Sequence, residues 1–149
     1  MRQGEDEGAM DMKLRVKAAV AAASAAAAVA VIGGAVAQES PIGVWIDHTG
    51  RGAVEIVDCG GNLCGSVVWI ADAKNAKGCG MQILGDVKPM GDGTFDEGWI
   101  YDPDKDAKYD VEIVPQGNKL KIVGYAGVKL FSQTFVWTKA PADLERCAS

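Results

Sequence analysis

From Ile42 to Lys139 the sequence alternates apolar and polar residues, with turn-forming residues about every ten positions. Successive side chains of a β-strand point to opposite faces of a sheet, so this two-residue period predicts strands with one buried face. Frequent turns between such strands are typical of an antiparallel sandwich or barrel. The pattern therefore predicts an all-β domain.

The alternation divides this region into about seven to eight strands. The predicted strands are Ile42–Asp47, Gly52–Cys59, Cys64–Ala71, Phe95–Tyr101, Lys108–Val114, Lys119–Tyr125 and Phe131–Lys139, with Met81–Leu84 as a short strand or plug. Strands joined by consecutive hairpins favour a small antiparallel up-and-down β-barrel, because a closed sheet has no exposed edge. A β-sandwich is the alternative.

A different composition marks the N-terminal part of the chain. Lys13, Arg15 and Lys17 precede an Ala- and Val-rich run, Ala18–Ala37, that ends in Ala-Val-Ala. A basic segment, an apolar segment and a small-x-small end are typical of a secretory signal peptide. We expect residues 1–37 to be an N-terminal extension plus a helical signal peptide cleaved after Ala37, and residues 38–149 to be one β-barrel domain. The alternative, an uncleaved membrane anchor, is disfavoured because Ala partitions weakly into hydrocarbon.

All four cysteines follow the predicted cleavage site. An even number of cysteines in an exported chain indicates disulfides. Cys59 and Cys64 flank a segment that resembles a hairpin loop, and facing positions on paired strands approach disulfide distance. We therefore expect the pairs Cys59–Cys64 and Cys79–Cys147, and a periplasmic or secreted protein. Zinc is the alternative, which the single histidine disfavours.

Five motifs stand in order along this region: CGGNLCG from Cys59, CGMQILG from Cys79, GWIYDP from Gly98, LKIVGYAG from Leu120 and QTFVWTK from Gln133. Together they resemble the exported bacterial family called domain of unknown function 2147. The resemblance covers essentially Pro41 to Cys147. It implies a lipocalin-like (calycin-type) β-barrel behind a signal peptide, and it implies no activity. The chain departs from the family pattern at Ala107, where Gly is usual, and at Lys139, where Arg is usual.

The charge and the reactive side chains exclude several classes of function. A net charge of −5 argues against nucleic-acid binding, which needs a basic surface, and we expect no stable membrane insertion after signal cleavage. His48 is the only histidine, and in a regular strand Asp47 points to the opposite face, so we find no catalytic pair. Asp102, Asp104 and Asp106 have the opening spacing of a calcium loop but lack its later Gly and Glu. They are a weak metal candidate, and we expect no cofactor.

The aromatic residues indicate what the barrel encloses. Gln133 shares strand parity with Phe131, Phe135 and Trp137, so an inward-facing set places a buried amide among aromatic rings. A buried amide needs a partner, which can be the backbone, water or a ligand. An eight-stranded barrel either fills with side chains or holds one small ligand. The candidate cavity residues are Trp69, Trp99, Tyr101, Phe131, Gln133, Phe135 and Trp137.

Three hypotheses of function follow, in this order. The first is a noncatalytic module of the bacterial envelope that binds a small apolar or amphipathic ligand, which predicts an internal cavity lined by Trp and Phe. The second is a filled barrel, a structural or stress-response protein that contacts an envelope protein through loops at 72–77 and 128–130, which predicts an exposed apolar patch and no cavity. The third is a small hydrolase or isomerase, which needs clustered acids with shifted pKa values in a cleft.

Overall fold

A computed structural model describes residues 39–148, so the predicted signal peptide and its cleavage site lie outside the described residues. The described part forms eight strands: β1 (Gly43–Ile46), β2 (Gly52–Asp58), β3 (Leu63–Ile70), β4 (Gln82–Pro89), β5 (Phe95–Asp102), β6 (Ala107–Gln116), β7 (Lys119–Ala126) and β8 (Val128–Lys139). Each strand pairs antiparallel with its sequence neighbour, and β1 pairs with β8, so the sheet closes into a barrel. A short 3-10 helix, Ala73–Gly78, connects β3 to β4. Among residues 39–148, none of the helical structure could span a bilayer.

The predicted all-β, up-and-down barrel is confirmed, and β4, β6 and β8 are each at least three residues longer than the alternation predicted. β4 continues to Pro89 because a bulge around Asp86, which has a φ of 56°, interrupts the alternation without ending the strand. β8 begins at Val128 instead of Phe131, since its register against β7 shifts at the turn. The differences in β4 and β8 arise where unpaired residues break the two-residue period.

Trp45, one of two buried tryptophans of the barrel, lies level with the last residue of β8. Its indole N–H donates a 2.8 Å hydrogen bond to the carbonyl of Pro41, and the Lys139 ammonium lies 4.6 Å from the ring centre. Gly43 has a φ of 138°, and a Cβ there would collide with the Lys139 ammonium. The buried side chains Ile56, Leu63, Leu84, Val87, Val111, Ile113 and Leu120 pack in the same core. This end of the barrel is closed.

The two predicted disulfides are present in the structure, Cys59–Cys64 and Cys79–Cys147. The second ties the connection after the 3-10 helix to the C-terminal segment. That segment lies against β2 and β3: the Cys147 N–H donates to the Val68 carbonyl at 2.7 Å, and the Arg146 guanidinium contacts both carboxylate oxygens of Glu55 at 2.9 Å. The C-terminal segment therefore anchors the helix-bearing connection to the barrel wall.

The outer face of β5 to β7 carries a buried carboxylate, Asp96, which is 9% exposed. It accepts hydrogen bonds from the Tyr125 hydroxyl at 2.6 Å and from the Lys129 ammonium at 2.5 Å, and Lys129 also pairs with Glu112 at 2.8 Å. Burial alone would raise the pKa of Asp96, but the bonds from Lys129, Tyr125 and a backbone N–H outweigh it and hold that pKa below its usual value. Burial and the bond to Asp96 raise the pKa of Tyr125 to about 12.

Replacing Cys79 and Cys147 together by Ser is expected to lower the free energy of unfolding by about 4 kcal/mol, because the bridge joins residues 68 positions apart. The same replacement of Cys59 and Cys64, only five positions apart, is expected to cost about 2 kcal/mol. Urea unfolding of the two double variants beside the wild type measures both losses. A larger loss from the hairpin pair would contradict this order.

Replacing Asp96 by Asn is expected to cost about 2 kcal/mol at pH 7, because it removes two charge-assisted hydrogen bonds. A carboxyl whose folded pKa is depressed stabilises the fold above its unfolded pKa of about 4, and this contribution is lost as the pH falls through the folded value. The difference between the wild type and Asp96→Asn should therefore shrink as the pH falls below about 4.

Urea unfolding at pH 7 and at pH 3 or below tests this dependence. Asp104→Asn is the matched control, because the Asp104 side chain is 75% exposed and its ion pair is worth less than about 1 kcal/mol. An Asp96→Asn deficit that stays constant down to the lowest pH at which the protein folds would contradict the depressed pKa.

Candidate ligand-binding site

The barrel encloses a cavity of about 690 Å³ that opens at the end opposite the packed core around Trp45. Its wall is apolar and comes from six strands, with the side chains Val54, Val67, Ile83, Ile100, Ile122, Phe135 and Trp137. Its mouth is formed by the β1–β2, β3–β4 and β5–β6 connections. A concave apolar site of several hundred Å³ with a few polar groups is typical of small-molecule binding.

Four of the seven residues predicted for the cavity line it: Tyr101, Gln133, Phe135 and Trp137. Trp137 is 3% exposed and pairs with Leu120 near the closed end. Gln133 is exposed, so the expectation of a buried amide is wrong: β8 rises beyond the packed core here and Gln133 faces the open part of the barrel. Its amide can reach a ligand or water.

Trp69 lies outside this cavity because a bulge in β3 reverses the alternation. Ala53 pairs with Trp69 but Val54 pairs with Val67, so the intervening residue is extra and sends the two side chains to different sides of the wall. Val67 lines the cavity, and Trp69 lies with Cys147 in a smaller pocket under the C-terminal segment.

Trp99 and Phe131 also lie outside the cavity. Trp99 packs over Gly85, where a Cβ would lie 2.5 Å from the indole, and it donates to the Asp86 carboxylate at 3.1 Å. The Lys108 ammonium covers this ring at 4.0 Å from its centre. Phe131 is 72% exposed, since the register shift between β7 and β8 takes it out of the inward-facing set.

The polar residues of the mouth were not predicted from the sequence as part of the cavity lining. They are Asp47, His48, Thr49 and Arg51 from the β1–β2 connection, Lys74, Asn75 and Lys77 from the 3-10 helix, and Asp102, Asp104 and Lys105 from the β5–β6 connection. The strand order could have indicated them, because every second connection of an up-and-down barrel lies at the same end. The imidazole of His48 packs on Phe135 with 4.2 Å between ring centres, which places it at the rim.

The three aspartates of the weak metal candidate, Asp102, Asp104 and Asp106, each contact a different partner. Asp102 accepts from the backbone N–H groups of Asp104 and Lys105, Asp104 pairs with Arg51 at 3.1 Å, and Asp106 accepts from the Tyr101 hydroxyl. In residues 39–148 no three acidic, His or Cys side chains converge as metal ligands would. These aspartates shape the turn.

Asp47 and His48 contact different residues. Asp47 accepts from the Thr49 hydroxyl at 2.6 Å, whereas the neighbouring His48 packs on Phe135. The buried acid Asp96 belongs to the outer face and is not part of the cavity lining. The arrangement is suited to enclosing an apolar group beneath a polar mouth.

No protein with a curated description matches this chain significantly. Among solved structures, the Helicobacter pylori protein HP1028, described as belonging to the lipocalin family, is similar with a TM-score of 0.59, over 70% of this chain and 86% of its own, at 16% identity. Such low identity establishes a likeness of fold alone, which is the lipocalin-like barrel.

The bacterial family described as "Uncharacterized protein conserved in bacteria (DUF2147)" matches residues 43–139. This span begins with the first residue of β1 and ends with the last residue of β8, so it contains the whole barrel wall. The resemblance drawn from the motifs is thereby confirmed, and the chain belongs to the DUF2147 family of uncharacterised bacterial proteins.

Proposed function

We propose that this protein is a noncatalytic module of the bacterial envelope that binds one small apolar or amphipathic ligand inside the barrel. The observation that carries the proposal is the 690 Å³ cavity with an apolar wall and a polar mouth. Protein interiors are close-packed and contain few voids larger than a water molecule, so a space of this size inside a small domain favours an occupant. The lipocalin-like fold supports the same role, since eight-stranded barrels can hold one small ligand.

The site of action proposed here is the periplasm or the extracellular space. Two disulfides support this location, because such bonds persist in oxidising compartments and are rare in the cytosol. We propose that the signal peptide is removed after Ala37 and that the barrel domain of residues 38–149 is the mature protein. The ligand would then be a molecule of the envelope or of the surrounding medium.

The two other hypotheses receive less support. The filled-barrel hypothesis predicted no cavity, so the cavity argues against it. In its favour, Val128, Leu130 and Phe131 are 55%, 85% and 72% exposed and form an apolar patch suited to contact with an envelope protein. A hydrolase or isomerase would need acids with shifted pKa values clustered in the cleft. Asp96, whose pKa is lowered, lies outside the cavity lining. The ligand-binding role therefore remains our conclusion.

Replacing Val67 by Trp tests the proposal, because Val67 lines the cavity and an indole there would occupy the ligand's space. The probe is N-phenyl-1-naphthylamine, a neutral apolar dye whose fluorescence rises on transfer from water. We expect saturable binding with one site on the wild type, and an affinity at least about tenfold lower for Val67→Trp, since an occupied pocket cannot also enclose the dye.

The matched control is Val136→Trp, because Val136 is 45% exposed and lies on the outer side of β8 between two cavity-lining residues. This control should bind the dye as the wild type does, and thermal unfolding followed by circular dichroism should show that both variants are folded. Equal affinities of wild type and Val67→Trp, or non-saturable uptake by the wild type, would reject the cavity as a binding site.

A further inference from the structure

The mouth of the cavity has an uneven set of charges. Its charged side chains are Asp47, Asp102, Asp104, Arg51, Lys74, Lys77 and Lys105. Three of these are acidic and four are basic, although the whole chain has a net charge of −5. The side chains that line the mouth therefore have a net charge of +1 in an acidic protein.

Contacts within the mouth neutralise most of these charges. The Arg51 guanidinium pairs with Asp104 at 3.1 Å, and the Lys105 ammonium pairs with Asp102 at 3.3 Å. The Asp47 carboxylate accepts from the hydroxyl and the N–H of Thr49, which folds it into its own turn. Among the described residues that line the mouth, the charges left without an ion pair are those of Asp47, Lys74 and Lys77.

Lys74 and Lys77 form no ion pair or side-chain hydrogen bond with any residue of the described chain, and both line the mouth. They are three positions apart in a 3-10 helix, where residues i and i+3 lie one above the other, so their ammonium groups share one side. Two like charges on one side repel each other unless an anion lies between them.

The helix that carries these lysines is held in place. The Asp72 carboxylate caps its first turn by accepting from the Lys74 N–H at 2.9 Å, and the disulfide of Cys79 to Cys147 follows its last residue. The cationic pair is therefore held at one side of the mouth of an apolar cavity. Gln133 and Asn75 supply uncharged hydrogen-bonding groups in the same lining.

We infer that the ligand is an amphiphile with an anionic head group, which lies against Lys74 and Lys77 while its apolar tail enters the cavity. This inference rests on the proposed binding function and specifies its ligand class. The ammonium groups supply charge-assisted hydrogen bonds to a carboxylate or phosphate oxygen, and the wall buries the chain attached to it. A cationic head would instead add to the repulsion between the lysines.

The test compares three probes that share one twelve-carbon tail: dodecanoate, dodecanol and dodecyltrimethylammonium. Each displaces N-phenyl-1-naphthylamine from the wild-type protein at pH 8 and low ionic strength. We expect dodecanoate to bind about tenfold more tightly than dodecanol, as two partly exposed ion pairs allow, and the cation to bind most weakly. Dodecyl phosphate in a parallel titration distinguishes a phosphate-type head from a carboxylate-type head, according to which anion binds more tightly.

The variant Lys74→Gln with Lys77→Gln should bring the affinity ratio of dodecanoate to dodecanol close to one. The matched control is Lys119→Gln with Lys121→Gln, which removes the same charge from β7 residues outside the cavity lining and should keep the wild-type ratio. Raising the salt concentration should reduce the ratio in the wild type, because exposed ion pairs are screened.

The outcomes separate this inference from the proposed function. If the wild type binds neither the neutral dye nor dodecanol, the binding function itself fails. If both bind but dodecanoate has no advantage, or if its advantage survives in the Lys74 and Lys77 variant, the anionic head group is rejected and the apolar cavity stands.

Discussion

The burial of Trp45 is the constraint on which the rest of the barrel depends. β1 has four residues and meets β8 at only two of them, so the sheet closes where Trp45 and Lys139 pair. The indole fills the barrel at that level and is capped by the Pro41 carbonyl on one side and the Lys139 ammonium on the other. Because one end is packed in this way, the unfilled volume lies at the other end, beneath the three connections that form the mouth.

Local irregularities of the strands decide which aromatic rings enter the cavity. A bulge in β3 and a register shift at the start of β8 each add residues that have no partner, and each one turns a large ring away from the interior. Trp69 and Phe131 are the two rings displaced in this way, and the space they do not fill is part of the cavity. Bulges commonly redirect side chains next to functional sites, and here they leave part of the barrel interior without side chains.

The same irregularities explain what could be predicted from the sequence. Strict alternation placed Phe135 and Trp137 correctly, because the register of β8 against β7 is regular from Ser132 to Thr138. It failed for Trp69 and Phe131, since a bulge depends on pairing with the neighbouring strand and leaves no mark in the sequence of its own strand. The mouth residues could not be predicted from periodicity at all, because connections have none. The disulfide pairs could be predicted from the sequence. Cys59 and Cys64 flank a hairpin, which left Cys79 and Cys147 to pair with each other.

The longer disulfide connects stability to the mouth of the cavity. It holds the C-terminal segment against β2 and β3 and also fixes the connection that carries Lys74 and Lys77. A flexible loop would have to be ordered when a ligand binds, and each immobilised long side chain costs about 0.5–1.5 kcal/mol of the binding energy. A connection that is covalently anchored before binding avoids the backbone part of that cost. The bridge thus stabilises the domain and, on the proposed binding function, fixes the mouth before a ligand enters.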